Sequence, residues 1–224
     1  MMQAPTGKAA AESFNAEPLH HPPARNRKFR TERMSAEGKR RQHSRPQYGS
    51  GPDGPSREEI YQEPRHALLR ERLLRFGGRE VCFAVKDQHI DILATDRARV
   101  WSGGDRVKLL RGRPSQCHRN AAHFYAKRFP SFAIVTGYAM CESGLWIQHS
   151  WLLKNGTVYD ATGARLAYAG VPLNDTETAL FVVSNWDGGP ASFLTDCEGN
   201  RELMAHVSAG VRRHIEGLER AAAA

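Results

Sequence analysis

Three residues within one short stretch have the types and spacing of a nucleophilic centre: Cys117, His149 and Asp160. A thiol becomes a catalytic nucleophile when a base takes its proton and a third group orients the base. Asn155-Gly156 lies between two apolar runs and predicts a two-residue hairpin, because both central positions of a type I′ turn need positive φ. Counting outward pairs Lys154 with Thr157, Trp151 with Asp160 and His149 with Thr162. His149 and Asp160 then share a face as diagonal neighbours, about 7 Å apart at Cα/Cβ level. A carboxylate–imidazole hydrogen bond spans that gap; it would fix the ring tautomer and favour the imidazolium.

The elements that must carry these groups are also legible. Cys117 follows the loop-like Arg111-Gly-Arg-Pro-Ser-Gln116 and begins a helical pattern ended by Pro130, with Ala121, Phe124, Tyr125 and Arg128 at helical spacing. A thiol at a helix N-terminus feels the positive end of the dipole, which lowers its pKa. Phe132–Met140 and Leu145–Leu153 read as strands joined by a turn at Cys141–Gly144.

These pieces, in this order, resemble the transglutaminase-like branch of the papain-like thiol enzymes. Gln116-Cys117 at a helix start, Val135-Thr-Gly-Tyr138 on a strand, His149-Ser-Trp151, and Tyr159-Asp-Ala-Thr162 correspond to that family's Gly-Gln-Cys-Trp, Val-Thr-Gly-Tyr, His-Ala-Trp and Asp-Pro-Thr. The resemblance covers residues 115–162. His118 and Ala161 depart from the pattern, and the His-to-Asp spacing is short. The resemblance implies an α+β, papain-like (transglutaminase-like) core in which a cysteine at a helix N-terminus packs on an antiparallel sheet. It further implies Cys117 as nucleophile, His149 as base, Asp160 as third member and the Cys117 amide as an oxyanion donor.

Neighbouring residues carry two readings each. Gln116 supplies an oxyanion donor or faces solvent; Trp151 covers the triad or fills the core. Asn120 is expected to stabilise the helix start or bind a loop. Taken singly, Cys117 reads as a buried structural thiol, His149 as a satisfied sheet histidine and Asp160 as a turn residue. Zinc is the chemical rival, through Cys117, His118, His123, Cys141 and His149, but Cys-x-x-Cys and His-x-x-x-His pairs are missing. No metal and no cofactor is expected. No glycine loop is followed by the Lys-Ser/Thr that phosphate binding requires.

Composition sets the frame. Apolar residues make up 40% of the 224 and the mean hydropathy is −0.57, which points to a polar segment outside a folded core. Of the net charge of +8, residues 1–57 carry +6, from 11 Lys/Arg against 5 Asp/Glu. The remaining chain is nearly neutral and has no nucleic-acid footprint. Residues 1–56 are therefore expected to form a disordered basic tail rich in Pro, Gly and Ser, and residues 57–220 the thiol-enzyme domain. The tail reads first as solvated, second as a weak contact for an anionic partner. Cys82, Cys117, Cys141 and Cys197 show no disulfide spacing, no apolar run spans a membrane, and no secretory signal opens the chain. A cytoplasmic location is expected, with the tail as leader for a specialised secretion route as the alternative.

Along the rest of the chain, Ser56 and Glu59 suggest a capping box. Pro64 starts a helix through Leu68, Leu69, Leu73, Leu74 and Phe76, ended by Gly77-Gly78. Val81–Val85 and His89–Ala94 read as strands, with Cys82 in the core and His89 on the surface. Residues 95–114 read as a loop, Phe181-Val-Val-Ser184 as a strand after the loop-like 170–178, and 199–220 as a closing helix. The expected function is cysteine-nucleophile acyl transfer, chiefly hydrolysis of an amide bond by a peptidase or deamidase acting on a protein, peptide or small amide. Amine transfer by a transglutaminase, and a binding module whose catalysis has lapsed, are the alternatives.

Overall fold

The computed structural model describes residues 12–13, 57–83, 90–93, 95, 97–103 and 107–224. The tail expected over residues 1–56 lies outside the described residues except for β1 (Glu12–Ser13), a two-residue strand. Ser56 of the expected cap, and His89, also lie outside. The order continues α1 (Arg57–Gln62), α2 (Pro64–Arg75), β2 (Glu80–Cys82), α3 (Ile90–Leu93), β3 (Arg99–Ser102), β4 (Val107–Leu109), α4 (Cys117–Lys127), β5 (Ala133–Met140), β6 (Leu145–Lys154), β7 (Thr157–Asp160), β8 (Ala167–Pro172), α5 (Asp175–Ser184), α6 (Gly189–Cys197) and α7 (Arg201–Ala222).

This is an α+β protein built on one sheet, in the order β1-β3-β8-β5-β6-β7-β4, with β2 alongside β6. The sheet is mixed, which corrects the antiparallel expectation. β5–β8 and β3 pair antiparallel, but β2 joins β6 and β4 joins β7 in parallel. Both parallel strands come from the N-terminal half, and the long connections between them and their partners permit parallel pairing, which no short turn can make.

The Asn155-Gly156 hairpin forms as its dihedrals require, with φ of 50° and 74°, and sets the register Lys154↔Thr157, Leu153↔Val158 and Leu152↔Tyr159. Helix α2 begins at Pro64, as its sequence predicts, and buries Leu69 and Leu73. One face of β5 and β6 is covered by helices: Tyr138, Met140 and Trp146 pack with α2, while Ile134 and Leu152 pack with α4 to α7. The opposite face holds Trp101, Val135, Ala139, Trp151, Val158 and Tyr168 in a separate aromatic core.

Other elements differ from expectation. Phe181-Val-Val-Ser184 is helical, the end of α5, because Asn174 and Glu177 form a capping box that commits the segment. His89–Ala94 contains α3 rather than a strand, with Ile90 and Leu93 buried three residues apart. The 95–114 stretch holds β3 and β4, short strands between glycines. β8 lies centrally, buried on both faces, though its Ala/Gly composition carries little strand signal. Cys82 is half-buried.

Candidate active site

His149 and Asp160 meet on the face that the hairpin register predicts. The His149 Nε2 to Asp160 Oδ2 distance is 2.8 Å, and the two side chains are 2% and 0% exposed. Asp160 is held on all sides. Its Oδ1 accepts from the Thr162 N–H (2.8 Å), the Thr162 hydroxyl (3.0 Å) and the Gly163 N–H (3.3 Å), while Oδ2 also accepts from the Tyr168 hydroxyl at 3.0 Å. The Trp151 ring stacks beside His149, with centroids 6.1 Å apart and planes 22° apart, and is fully buried. Of its two readings the core one is present: Trp151 belongs to the aromatic core.

Cys117 reaches this pair by an unusual route. Helix α4 packs on the opposite face of the sheet: His118 Nδ1 lies 2.7 Å from Ser150 Oγ, and Ser150 in turn bonds Thr136 Oγ1 at 3.0 Å. Side chains alternate along a strand, so Ser150 faces α4 and His149 faces away from it. The thiol is nonetheless near enough to His149 and to the Ser150 backbone for both to favour its ionised form. The pairing of β6 explains how. On the edge away from β5, β2 pairs with Leu145–Ile147 and β7 with Leu152–Lys154. Between them Gln148–Trp151 has no strand partner on that edge among the described residues. Cys117, first residue of α4, sits at this gap, where one residue can touch groups from both faces. Since Nε2 is taken by Asp160, Nδ1 is the ring nitrogen left for the sulfur.

The electrostatics follow from these contacts. Burial opposes ionisation of the Cys117 thiol, but the hydrogen bond and charge of His149, with backbone hydrogen bonds at Ser150 and His118, outweigh it and hold the pKa below the ordinary thiol value. For His149, burial disfavours the cation, yet Asp160 and Cys117 prevail and push it up to about 9. Asp160, despite burial, is brought down to about 2 by His149 and the Thr162 hydrogen bonds. The Tyr168 phenol is raised by burial and the adjacent Asp160 charge, so it stays a donor. The arrangement favours a thiolate–imidazolium pair, with Cys117 only partly buried.

The loop before Cys117 is fixed by Asn120, which accepts from the Arg113 N–H (3.0 Å) and donates to the Arg113 carbonyl (2.7 Å); of its two expected roles, the loop-binding one is present. A Cβ on Gly112 would collide with the Ala161 carbonyl and lie 2.7 Å from Asn120 Nδ2, so glycine lets this loop lie against the end of the β7 strand. Gln116 makes no cap hydrogen bond; it lines a neighbouring cavity and its Oε1 is buried without a partner. The residues weighed as zinc ligands disperse: His118 is on Ser150, His123 lies 3.4 Å from Asp187 and Cys141 lies 3.6 Å from Arg165. Among the described residues no three His, Cys, Asp or Glu side chains are grouped to hold a metal, and no helix is long and apolar enough to cross a membrane.

Two supporting groups were not singled out from sequence. Thr162 had a signal, since an aspartate commonly accepts from the N–H two residues on. Tyr168 had none, because it arrives from β8, eight residues away across the sheet. Compared with known proteins, the chain matches no family model, no curated protein and no solved structure.

Proposed function

We propose that this chain is a cysteine-nucleophile acyl-transfer enzyme, of the papain-like, transglutaminase-like kind, that hydrolyses an amide bond as a peptidase or deamidase. One observation carries the reading: the Cys117 thiol, at a helix N-terminus, joins a buried His149–Asp160 pair through an open strand edge. A structural thiol has no need of such a pair, and a buried imidazole–carboxylate pair needs a compensating role to offset its desolvation.

In the reaction, the Cys117 thiolate attacks the amide carbonyl carbon. The oxyanion forms beside the α4 N-terminus, where the Cys117 amide donates and the helix dipole favours negative charge. His149 gives its proton to the departing amine as the C–N bond breaks and a thioester forms. Water then enters, His149 takes a proton from it, the hydroxide adds to the acyl carbon, and the C–S bond breaks to release the acid and regenerate the thiolate–imidazolium pair. Asp160 holds His149 in one tautomer throughout, and the Gln116 side-chain amide is the candidate second oxyanion donor.

Alkylation of Cys117 by iodoacetamide across pH, followed by mass spectrometry of its peptide, tests this. Rapid labelling well below the ordinary thiol pKa of about 8.5 is expected. His149→Ala should restore ordinary titration, and Cys117→Ala should fold normally and hydrolyse nothing in a peptide-amide screen. A Cys117 that titrates as a free thiol in the wild-type chain ends the proposal.

A further inference from the structure

Next to the nucleophile is a cavity of about 400 Å³ whose wall is strongly cationic. Gln116, Asn120, His123 and Lys127 line it from one stripe of α4; Arg111 and Arg113 enter from the loop before Cys117; Asp187 closes the far side with Arg119. Asp187 is already engaged, at 2.6 Å from Arg113 and 3.2 Å from Arg119. Arg111 and Lys127 form no ion pair among the described residues. Four cationic side chains thus face one carboxylate. The Gln116 amide oxygen, on the same wall, is buried and unpartnered.

We propose that this cavity is the subsite for an acidic residue of a polypeptide substrate, so that the acyl group delivered to Cys117 is flanked by Asp or Glu. The inference rests on the reading of Cys117 as an acyl-transfer nucleophile and gives it a substrate class. The exposed Arg111 and Lys127 head groups can each donate charge-assisted hydrogen bonds to a carboxylate. The orphan Gln116 acceptor calls for an N–H, which a peptide backbone supplies beside its acidic side chain and a bare polyanion does not. Gln116, which lines the cavity, is the residue directly before Cys117, so the subsite borders the helix start that carries the sulfur.

The full-length chain is treated at low ionic strength with chloroacetyl-Gly-Glu-Glu-amide and with its Gln-Gln isostere, and Cys117 alkylation is timed by mass spectrometry. The acidic probe should react about tenfold faster, as two weak ion pairs allow, and 0.5 M salt should erase most of that ratio, since the Debye length shrinks to about 4 Å. In an Arg111→Gln/Lys127→Gln double variant the ratio should fall to about one. Equal rates for the two probes, with low-pH iodoacetamide reactivity intact, overturn the subsite and leave the nucleophile standing. Should Cys117 instead titrate as an ordinary thiol, unreactive acetyl-Gly-Glu-Glu-amide still tests the cavity through tryptophan fluorescence, since the Trp186 ring lies 4.0 Å from that of His123. Binding lost in the double variant supports an acidic-peptide site; no binding overturns it. Tighter binding of a thymidine octamer, lost in the same variant, also overturns it, because the cavity would then read phosphate.

Discussion

Asp160 is a carboxylate with no access to water and five hydrogen bonds, from His149, Tyr168, Thr162 twice and Gly163. Such a group stays ionised only because every lone pair is met. Asp160→Asn keeps the shape but reverses one donor–acceptor relation. Its expected effect is a fall in Cys117 alkylation at neutral pH on the order of a hundredfold, with the alkaline limb near pH 9 moved down. Asp160→Ala leaves a buried imidazolium without its partner and should cost roughly 3–5 kcal/mol in urea denaturation. An alkylation profile in Asp160→Asn that matches wild type would show that Tyr168 and Trp151 orient His149 unaided.

At the scale of elements, the site depends on strand β6 being left open over Gln148–Trp151 between β2 and β7. Close backbone approach supports that strip. Gly137 pairs with His149 on one side and with Gly170 on the other, and a Cβ on Gly170 would lie 2.6 Å from both the Thr136 carbonyl oxygen and the Trp151 ring. Gly170→Ala should push the indole off its seat and cost about 1–3 kcal/mol, with a weakened near-ultraviolet dichroism signal. Asn120→Ala removes two buried bonds to Arg113 and should cost about 1–3 kcal/mol, readable as a lowered Tm and faster proteolysis at Arg111 or Arg113. Strong local signals made the central hairpin, α2, α4 and α7 readable from sequence: an Asn-Gly turn, proline punctuation, a long apolar stripe. β3, β4 and β8 were not readable, being three to six residues long and held by neighbours that are distant in sequence. α5 was misread because Phe-Val-Val favours a strand locally while its capping box lay just upstream.

For the whole molecule, the ion pairs set a pattern of stability with pH. Asp160, depressed to about 2, adds stability that is complete above its unfolded pKa of about 3.9 and is lost as pH falls toward 2. His149 alone, raised to about 9, would add stability below its unfolded pKa of about 6.5 and lose it up to about 9. Cys117, depressed, has the opposite slope on its acid side. Between about 6.5 and 8.5 the raised His149 and the depressed Cys117 therefore push stability in opposite directions as pH rises. The denaturation free-energy difference between wild type and Asp160→Asn should therefore shrink below about pH 4, where Asp160 takes up a proton; a difference that stays constant from about pH 7 to about pH 2.5 would contradict an ionised, buried Asp160. The amino-acid sequence by itself determined the cysteine at a helix start, the hairpin and the shared face of His149 and Asp160, because turn dihedrals and period-two alternation are local properties. Only the tertiary structure decided that the sheet is mixed and that β2 and β7 part along β6, letting a thiol from one face meet an imidazole on the other. That contact depends on which distant strands pair, and pairing is settled by the packing of the whole core.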